Sequence, residues 1–118
     1  MTIDLKRAYD PPAKSDGRRI LVDRVWPRGI VKDDLRIDAW LKDLAPSTQL
    51  RKWFGHDPTR WDEFEERYAR ELEQHSEALR GLVEKARADH ITLVFGAKDT
   101  RRNNAVALRE NLERRLKS

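Results

Sequence analysis

Basic residues follow two short apolar segments of the chain. Residues 20–25 and 91–95 are rich in apolar side chains, and each segment runs directly into a turn, with Arg28 in the first turn and Lys98 in the second. A cation at the carboxyl end of a parallel strand is suited to hold a phosphate or carboxylate. The pattern predicts an anion site at a sheet edge, although Arg28 could instead pair with a nearby aspartate.

Three side chains near these turns could transfer a proton. Asp23 ends the first segment and Asp99 follows Lys98 in the second turn, so burial of either carboxyl group would favour a general acid or base. His56, in a loop exposed by glycine and an Asp-Pro step, is a candidate general base. Structural alternatives exist: Asp23 could orient an arginine or accept loop amides, and Asp99 could form a salt bridge with Lys98.

Five further residues complete the candidate ligand-binding set: Tyr9, Arg24, Trp26, Asn103 and Asn104. Arg24 could clamp an anion or pair with an aspartate. Trp26 could stack on a base, because its position in a turn is not explained by packing alone. The backbone amides of a helix starting at Asn103 and Asn104 could bind the anion. Tyr9 joins the site only if the first strand runs parallel to the others.

Several kinds of site are disfavoured by composition. The chain has no cysteine, which excludes disulfides, thiolate metal ligands and a cysteine nucleophile. The His56-Asp57 pair could suggest a metal, but Asp57 is better placed as a helix cap before Pro58, so we predict no metal site. No dinucleotide, Walker or G-x-S-x-G motif is present, and the cofactor, if there is one, is unknown.

Charge and hydropathy predict a folded protein with a heavily charged surface. Of the 118 residues, 39% are charged, and the formal net charge is +4 with a pI near 9.6, which favours a phosphate-bearing partner. The first seven residues lack the apolar core of a signal peptide, and no apolar run is long enough to cross a bilayer. We therefore expect a cytoplasmic protein with no membrane partner.

The hydrophobic pattern predicts three strands, near residues 3–5, 20–25 and 91–95. The last two are separated by helical segments and should be neighbouring, parallel, central strands. The link from Leu5 to Arg19 is short for a parallel crossover, so the first strand could pair either parallel or antiparallel. The expected fold is a small single-domain α/β layer fold, residues 1–118, with a short, mostly parallel sheet flanked by helices.

Capping signals and apolar spacing predict five helices. The first begins at Asp38, carries Trp40 and ends at Pro46, and the second begins near Ser47 and closes at Gly55. The last three cover about 58–74, 77–88 and 104–116. Trp40, Trp53 and Trp61 are expected mainly in the core, with Phe64, Tyr68 and Leu72 on the buried face of the third helix.

Six ordered motifs give the chain a family resemblance. They are Tyr9-Asp10-Pro11-Pro12, Val22–Gly29, Leu44-Ala45-Pro46-Ser47, Leu50–Pro58, Gly96-Ala97-Lys98-Asp99 and Asn103-Asn104-Ala105. Together they resemble the YeaO-like branch of the DUF488 family over nearly the whole chain. The resemblance implies an α/β fold with a parallel sheet, favours a parallel first strand, and carries no assigned activity. Longer members of the family carry what resembles a Cys-His pair at the positions of Asn103 and Asn104. The change to two asparagines argues against nucleophilic or redox chemistry at these positions.

The leading functional hypothesis is an enzyme or ligand-binding domain for a small phosphorylated or otherwise anionic molecule, such as a nucleotide, at the carboxyl edge of the sheet. One alternative is a non-enzymatic nucleic-acid-binding module that uses the basic surface. A second is a helical adaptor that forms a homodimer through the face from Trp61 to Leu72. The sequence leaves the substrate, catalytic turnover and oligomeric state open.

Overall fold

The computed structural model describes residues 3–117 and contains a four-stranded parallel sheet. The strands are β1 (Ile3–Arg7), β2 (Arg18–Leu21), β3 (Ala39–Trp40) and β4 (Ile91–Phe95), and their order across the sheet is β1-β4-β2-β3. All three pairings are parallel. The last strand in the sequence therefore lies between the first two, as in an α/β layer fold.

The two central strands, β2 and β4, pair as predicted. Ile20 lies opposite Leu93 and Leu21 opposite Val94, and these four side chains are fully buried because both faces of the sheet are covered. The prediction that the strand reaches residue 25 is wrong. The Val22 N–H still donates to Val94 O, but the chain then leaves the sheet.

Strand β1 runs parallel to β4, with Ile3 opposite Ile91 and Arg7 opposite Phe95. Of the two arrangements that the sequence left open, the parallel one is correct. A link of ten residues, 8–17, therefore suffices for the crossover, and it contains only a 3₁₀ turn, Lys14–Asp16. Gly17 closes this link at φ 63°, where an added Cβ would lie 2.3 Å from His90 O.

The helix predicted from Asp38 is wrong. The Asp38 carboxylate accepts a hydrogen bond from Arg19 N at 2.8 Å, and its own N–H donates to Arg19 O at 2.7 Å. Asp38 therefore joins β3 to β2 and does not cap a helix. A 3₁₀ turn, Lys42–Leu44, follows β3, and a short helix that the sequence did not predict, α1 (Lys32–Leu35), precedes it.

The remaining helices agree closely with the sequence pattern. They are α2 (Thr48–Phe54), α3 (Trp61–Glu73), α4 (Ser76–Ala88) and α5 (Asn104–Leu116), with a 3₁₀ turn, Pro58–Arg60, before α3. Ser47 caps α2 through Leu50 N, and Gly55 ends it in the left-handed region. Helix α4 begins at Ser76, one residue before the predicted start, and His75 occupies its N-cap position.

Two apolar clusters lie on opposite faces of the sheet. The larger cluster joins β1, β2 and β4 to α2–α5 and includes the predicted α3 face, Phe64, Tyr68 and Leu72. The smaller one contains Ala8, Leu21, Leu35 and Val94, with Trp26, Ile30, Ile37 and Trp40 packed against it. Burial of each large side chain contributes about 1.5–3 kcal/mol. No helix within residues 3–117 could span a membrane.

Candidate functional site

A cavity of about 280 Å³ lies at the carboxyl ends of β2 and β4, beside α2 and the start of α5. In parallel sheets, ligands bind at this edge, where neighbouring strands connect in different directions. We call it the carboxyl-edge cavity. Its lining residues are Asp23, Arg24, Pro46, Arg51, Phe54, His56, Phe64, Ala97, Asn103 and Asn104.

Asp23 joins three elements at the base of this cavity. Its Oδ2 accepts a hydrogen bond from Gly96 N at 2.8 Å, and its Oδ1 accepts one from Asn104 Nδ2 at 3.0 Å. Burial raises the pKa of the Asp23 carboxyl group, while the bonds from Asn104 and Gly96 and the charge of Arg51 partly oppose the rise. The predicted acid–base residue therefore lines the cavity but is also a structural link between β2, β4 and α5.

Arg24 also lines the cavity and braces the loop above it. Its Nε donates to Pro46 O at 3.2 Å and its Nη2 to Ala45 O at 3.3 Å. These bonds hold the segment after β2 against the start of α2. The second terminal nitrogen, Nη1, makes no hydrogen bond with residues 3–117, so the guanidinium keeps donors for a ligand.

The two asparagines at the start of α5 form a further side of the cavity. Asn103 is buried, and its Oδ1 caps the helix by accepting from Val106 N at 2.9 Å, while its Nδ2 donates to Asp99 O. Asn104 Nδ2 donates both to Val22 O and to Asp23, each at 3.0 Å. These amide side chains shape the site, and an amide is not a nucleophile.

Arg51 and His56 are the lining residues whose side-chain nitrogens make no hydrogen bond within the described chain, although the His56 ring contacts that of Phe54, with 6.1 Å between the ring centres. Neither side chain makes a hydrogen bond or ion pair with any residue from 3 to 117, and both are exposed at the cavity. His56 has φ 58°, an uncommon conformation for a residue other than glycine, and it directly follows Gly55 at φ 52°. The backbone that carries the imidazole therefore adopts a conformation that costs free energy.

Arg51 was missed by the sequence analysis. It lies three residues before Phe54 on α2, so the two share a helical face, and Phe54 is buried at the cavity. Helical spacing could have placed Arg51 beside this apolar wall. The apolar residues of the α2 segment predict packing, and that prediction did not extend to Arg51 between them.

Two of the predicted anion ligands lie outside the cavity. Arg28 and Lys98 are exposed, and neither side chain has a hydrogen-bond partner in the part of the chain that the structure describes. The Arg28 carbonyl accepts a hydrogen bond from the Tyr9 hydroxyl at 3.0 Å. The structure therefore does not bring Arg28, Lys98 and Asp23 together in one pocket.

Trp26 and Tyr9 also lie away from the cavity. Trp26 Nε1 donates to Ile30 O at 2.6 Å, and its ring meets that of Trp40 edge-on at 5.4 Å. The premise that packing does not explain Trp26 is therefore wrong. Tyr9 does reach the carboxyl edge because β1 is parallel, but its ring lies under the Arg7 guanidinium, 5.0 Å from the ring centre.

Asp99 caps the loop that precedes α5 and does not line the cavity. Its Oδ1 accepts hydrogen bonds from Arg101 N at 2.9 Å and Arg102 N at 3.1 Å, and these bonds lower the pKa of the Asp99 carboxyl group. A carboxylate held in this way is a poor proton donor near neutral pH. The salt bridge to Lys98 that the sequence offered as an alternative does not form.

A metal has no evident set of ligands here. Among residues 3–117, no group of three histidine, cysteine or carboxylate side chains is arranged to hold an ion. Asp57 accepts hydrogen bonds from Thr59 N and Thr59 Oγ1, at 3.0 and 2.7 Å, as the cap of the turn before α3. The carboxylate beside His56 is therefore engaged in local structure.

A larger groove of about 1090 Å³ runs between α2 and α3. Arg67 and Arg70 line it together with acidic side chains, and Arg67 pairs with Glu63 and lies over the ring of Trp53. Charges of both signs therefore neutralise one another along this open surface. It also lies away from the strand ends, and we place the candidate site in the carboxyl-edge cavity.

Comparison with known proteins identifies the family. The family model DUF488-N3i, described as the inactive DUF488-N3 subclade, matches residues 2–118. The chain is 47% identical over 108 residues to the uncharacterized protein YeaO of Escherichia coli K12, covering 92% of this chain and 94% of that protein. It is 42% identical over 113 residues to the uncharacterized protein Rv3073c of Mycobacterium tuberculosis H37Rv, covering 96% and 95%. No solved structure matches it. The chain therefore belongs to the inactive DUF488-N3 subclade.

Proposed function

We propose that this protein binds a small anionic molecule in the carboxyl-edge cavity and does not convert it chemically. The observation that carries the proposal is the pair formed by Arg51 and His56, which line the cavity with unpartnered donors between walls that are already fixed by hydrogen bonds. The walls of the site are preorganised, so only the Arg51 and His56 side chains would lose conformational entropy when a ligand binds.

The charges around the cavity favour an anion. The cavity is lined by two guanidinium groups, Arg24 and Arg51, and by one carboxylate, Asp23. Burial raises the pKa of Asp23, so this carboxylate becomes neutral at a higher pH than an exposed aspartate would. Helix α5 begins at the same place, and its amino-terminal end carries partial positive charge. A phosphate or carboxylate group is the chemistry that such a set of donors recognises.

The volume limits the bound group to a small one. Drug-sized ligands occupy pockets of about 300–1,000 Å³, and the 280 Å³ of this cavity lies just below that range. Phe54 and Phe64 form its apolar side. We therefore expect a molecule with one anionic group and a short apolar or planar body.

The proposal that the anion is not converted rests on the state of the carboxylates and asparagines, which leaves His56 without a free carboxylate or nucleophile to act with. Both oxygens of Asp23 accept hydrogen bonds, Asp99 caps a loop, and the two asparagines are amides engaged in the helix cap. The chain has no cysteine to act as a nucleophile. The description of the subclade as inactive agrees with this assignment.

Isothermal titration calorimetry tests the proposal with inorganic phosphate, a nucleoside monophosphate and a small carboxylic acid as probes. Arg51→Ala should weaken binding of the preferred probe by about 10-fold or more, the effect expected for a lost charge-assisted hydrogen bond. Lys52→Ala is the matched control, because Lys52 is an exposed neighbour on α2 that does not line the cavity. Equal losses in the two variants would contradict a site at the cavity.

The rival functions have distinct outcomes in the same experiments. A nucleic-acid-binding module would bind an oligonucleotide with steep salt dependence and would be insensitive to Arg51→Ala. The adaptor hypothesis requires an exposed face from Trp61 to Leu72, and the burial of Phe64, Tyr68 and Leu72 in the core of the chain counts against it.

A further inference from the structure

Strand β1 has a strand neighbour on one side only. Within residues 3–117 it pairs with β4 alone, so its other side is an edge of the sheet. The Ala8 N–H donates to Phe95 O of β4. Backbone groups alternate in direction along a parallel strand, so even-numbered residues of β1 also face β4, whereas Ile3, Leu5 and Arg7 face outward. This outward row can pair with a further strand.

A second copy of β1 matches this edge when it lies antiparallel with Leu5 opposite Leu5. The hydrogen-bonded pairs are then Leu5 with Leu5 and Ile3 with Arg7. The Arg7 carbonyl already accepts from Asp10 N at 3.1 Å, so in this pair its second lone pair would accept from Ile3 of the other copy. The same register places Asp4 of each copy opposite Lys6 of the other. Opposite charges directly across antiparallel strands attract, so the edge is complementary to itself.

Both charges can reach across the seam. Asp4 Oδ2 lies 3.0 Å from His90 Nε2, yet the Asp4 side chain remains 57% exposed. Lys6 donates to Asp16 at 3.1 Å and retains 22% of its side-chain surface. An ammonium group has three donors, so Lys6 can hold Asp16 and still donate to an Asp4 opposite.

Helix α5 would add a second contact. It packs on both β4 and β1. Strands are spaced by about 4.8 Å, so a helix centred over the outer two strands lies about 5 Å from the seam, and two such helices lie about 10 Å apart. This is the distance at which packed helices touch. Leu5 and Leu116, which are only partly buried in one chain, lie on β1 and α5 and would gain burial there.

We propose that this protein forms a two-fold symmetric dimer through β1, in which two four-stranded sheets join into one. The two-fold axis passes between the two Leu5 residues, perpendicular to the sheet, and both helical layers lie on the same side. The partner is a second copy of this chain, because the charge pattern fits the edge to itself. The carboxyl-edge cavity lies over β2 and β4, so the dimer is independent of anion binding.

Sedimentation equilibrium between about 1 μM and about 1 mM should show the mass rising from 13.9 kDa towards twice that value. Asp4→Lys turns two attractive pairs into two repulsive ones and should raise the dimer Kd by about 10-fold or more. Asp89→Lys makes the same charge change in an exposed ion pair with Arg18 of β2, away from this edge, and should leave the Kd unchanged. Thermal melting checks that both variants fold.

Amide hydrogen exchange locates the interface without a substitution. Exchange at Leu5 and Arg7 should slow as the protein concentration rises, whereas Asp4 and Lys6, whose amides face β4, should be protected at every concentration. A mass of one chain throughout the range would overturn the proposal. So would a dimer that Asp4→Lys does not weaken and in which Leu5 exchange is independent of concentration, because such a dimer uses another surface.

Discussion

Replacement of Glu65 by glutamine should stabilise the protein at neutral and alkaline pH. Glu65 on α3 and Glu110 on α5 line a cleft of about 310 Å³ between the two helices. Burial raises the pKa of Glu65 from 4.5 to about 7, and the hydrogen bond with Glu110 and the negative charges of Glu110 and Asp62 add to the rise, while Arg114 opposes it. A neutral glutamine keeps a donor for Glu110 without the repulsion.

The magnitude follows from the difference in proton affinity between the folded and unfolded chains. At about 1.4 kcal/mol for each pH unit, the rise in the pKa of Glu65 sets an upper limit of about 3.5 kcal/mol. Solvent reaches this half-buried side chain, and screening reduces the effect to about 1–2 kcal/mol. The folded state holds the proton more tightly, so this contribution is complete below pH 4.5 and is lost as the pH rises through about 7.

Urea denaturation at about pH 5 and about pH 8 measures the effect as the difference between variant and wild type. Glu65→Gln should change the free energy of unfolding little at the lower pH and raise it by about 1–2 kcal/mol at the higher pH. Glu73→Gln, on an exposed position of the same helix outside the cleft, is the matched control. An effect of Glu65→Gln that is the same at both pH values would refute the reasoning.

Three further predictions concern the backbone and the site. Gly17→Ala should lower the free energy of unfolding by about 2 kcal/mol or more in urea denaturation, because φ is 63° and the added Cβ would lie 2.3 Å from His90 O. His56→Gly should leave the fold as stable or up to about 1 kcal/mol more stable, since it relieves a positive φ, and should weaken phosphate binding in calorimetry. Arg28→Ala should leave phosphate affinity within about twofold, because Arg28 does not line the cavity. A loss equal to that of Arg51→Ala would move the site to the Arg28 turn.

The sheet was largely predictable because its strands are short apolar runs. Residues 91–95 are buried along their whole length, and that is what a parallel central strand requires. Ser47 caps α2, and Asp57 caps the 3₁₀ turn that leads into α3; both caps were predicted, and each side chain accepts the expected backbone hydrogen bond. Local chemistry and the final fold agree at these positions, and they are where the sequence analysis succeeded.

The helix predicted at Asp38 failed because the same carboxylate has two suitable partners. An aspartate can cap a helix or bond a neighbouring strand, and only the position of β2 decides between them. Here Arg19 N takes the Asp38 side chain, and Trp40 follows as a strand residue whose Nε1 donates to Asp23 O. The residue types around Asp38 do not indicate which of the two partners its carboxylate binds.

The candidate site was predicted in part for a related reason. Residue types showed that polar groups follow β2 and β4, and the structure brings Asp23, Arg24, His56, Asn103 and Asn104 together at one cavity. The direction that the chain takes after β2 depends on how the residues of the following turn pack. The Trp26 ring folds back against Trp40 on the second face of the sheet, and that contact takes the following turn away from the cavity.

The residues that line the cavity therefore fall into two groups, one that holds the fold together and one with donors free for a ligand. From the sequence alone, both roles had been assigned to the same residues. Asp23, after β2, and Asn104, the first residue of α5, join the sheet to that helix, and their substitution should disturb the fold as well as any ligand. The unpartnered donors come from the α2 segment, where Arg51 and His56 contribute nothing visible to internal hydrogen bonding. His56 has a positive φ, and its ring contacts that of Phe54 while its nitrogens make no hydrogen bond within residues 3–117. Its backbone strain therefore supports the proposal that these nitrogens serve a ligand.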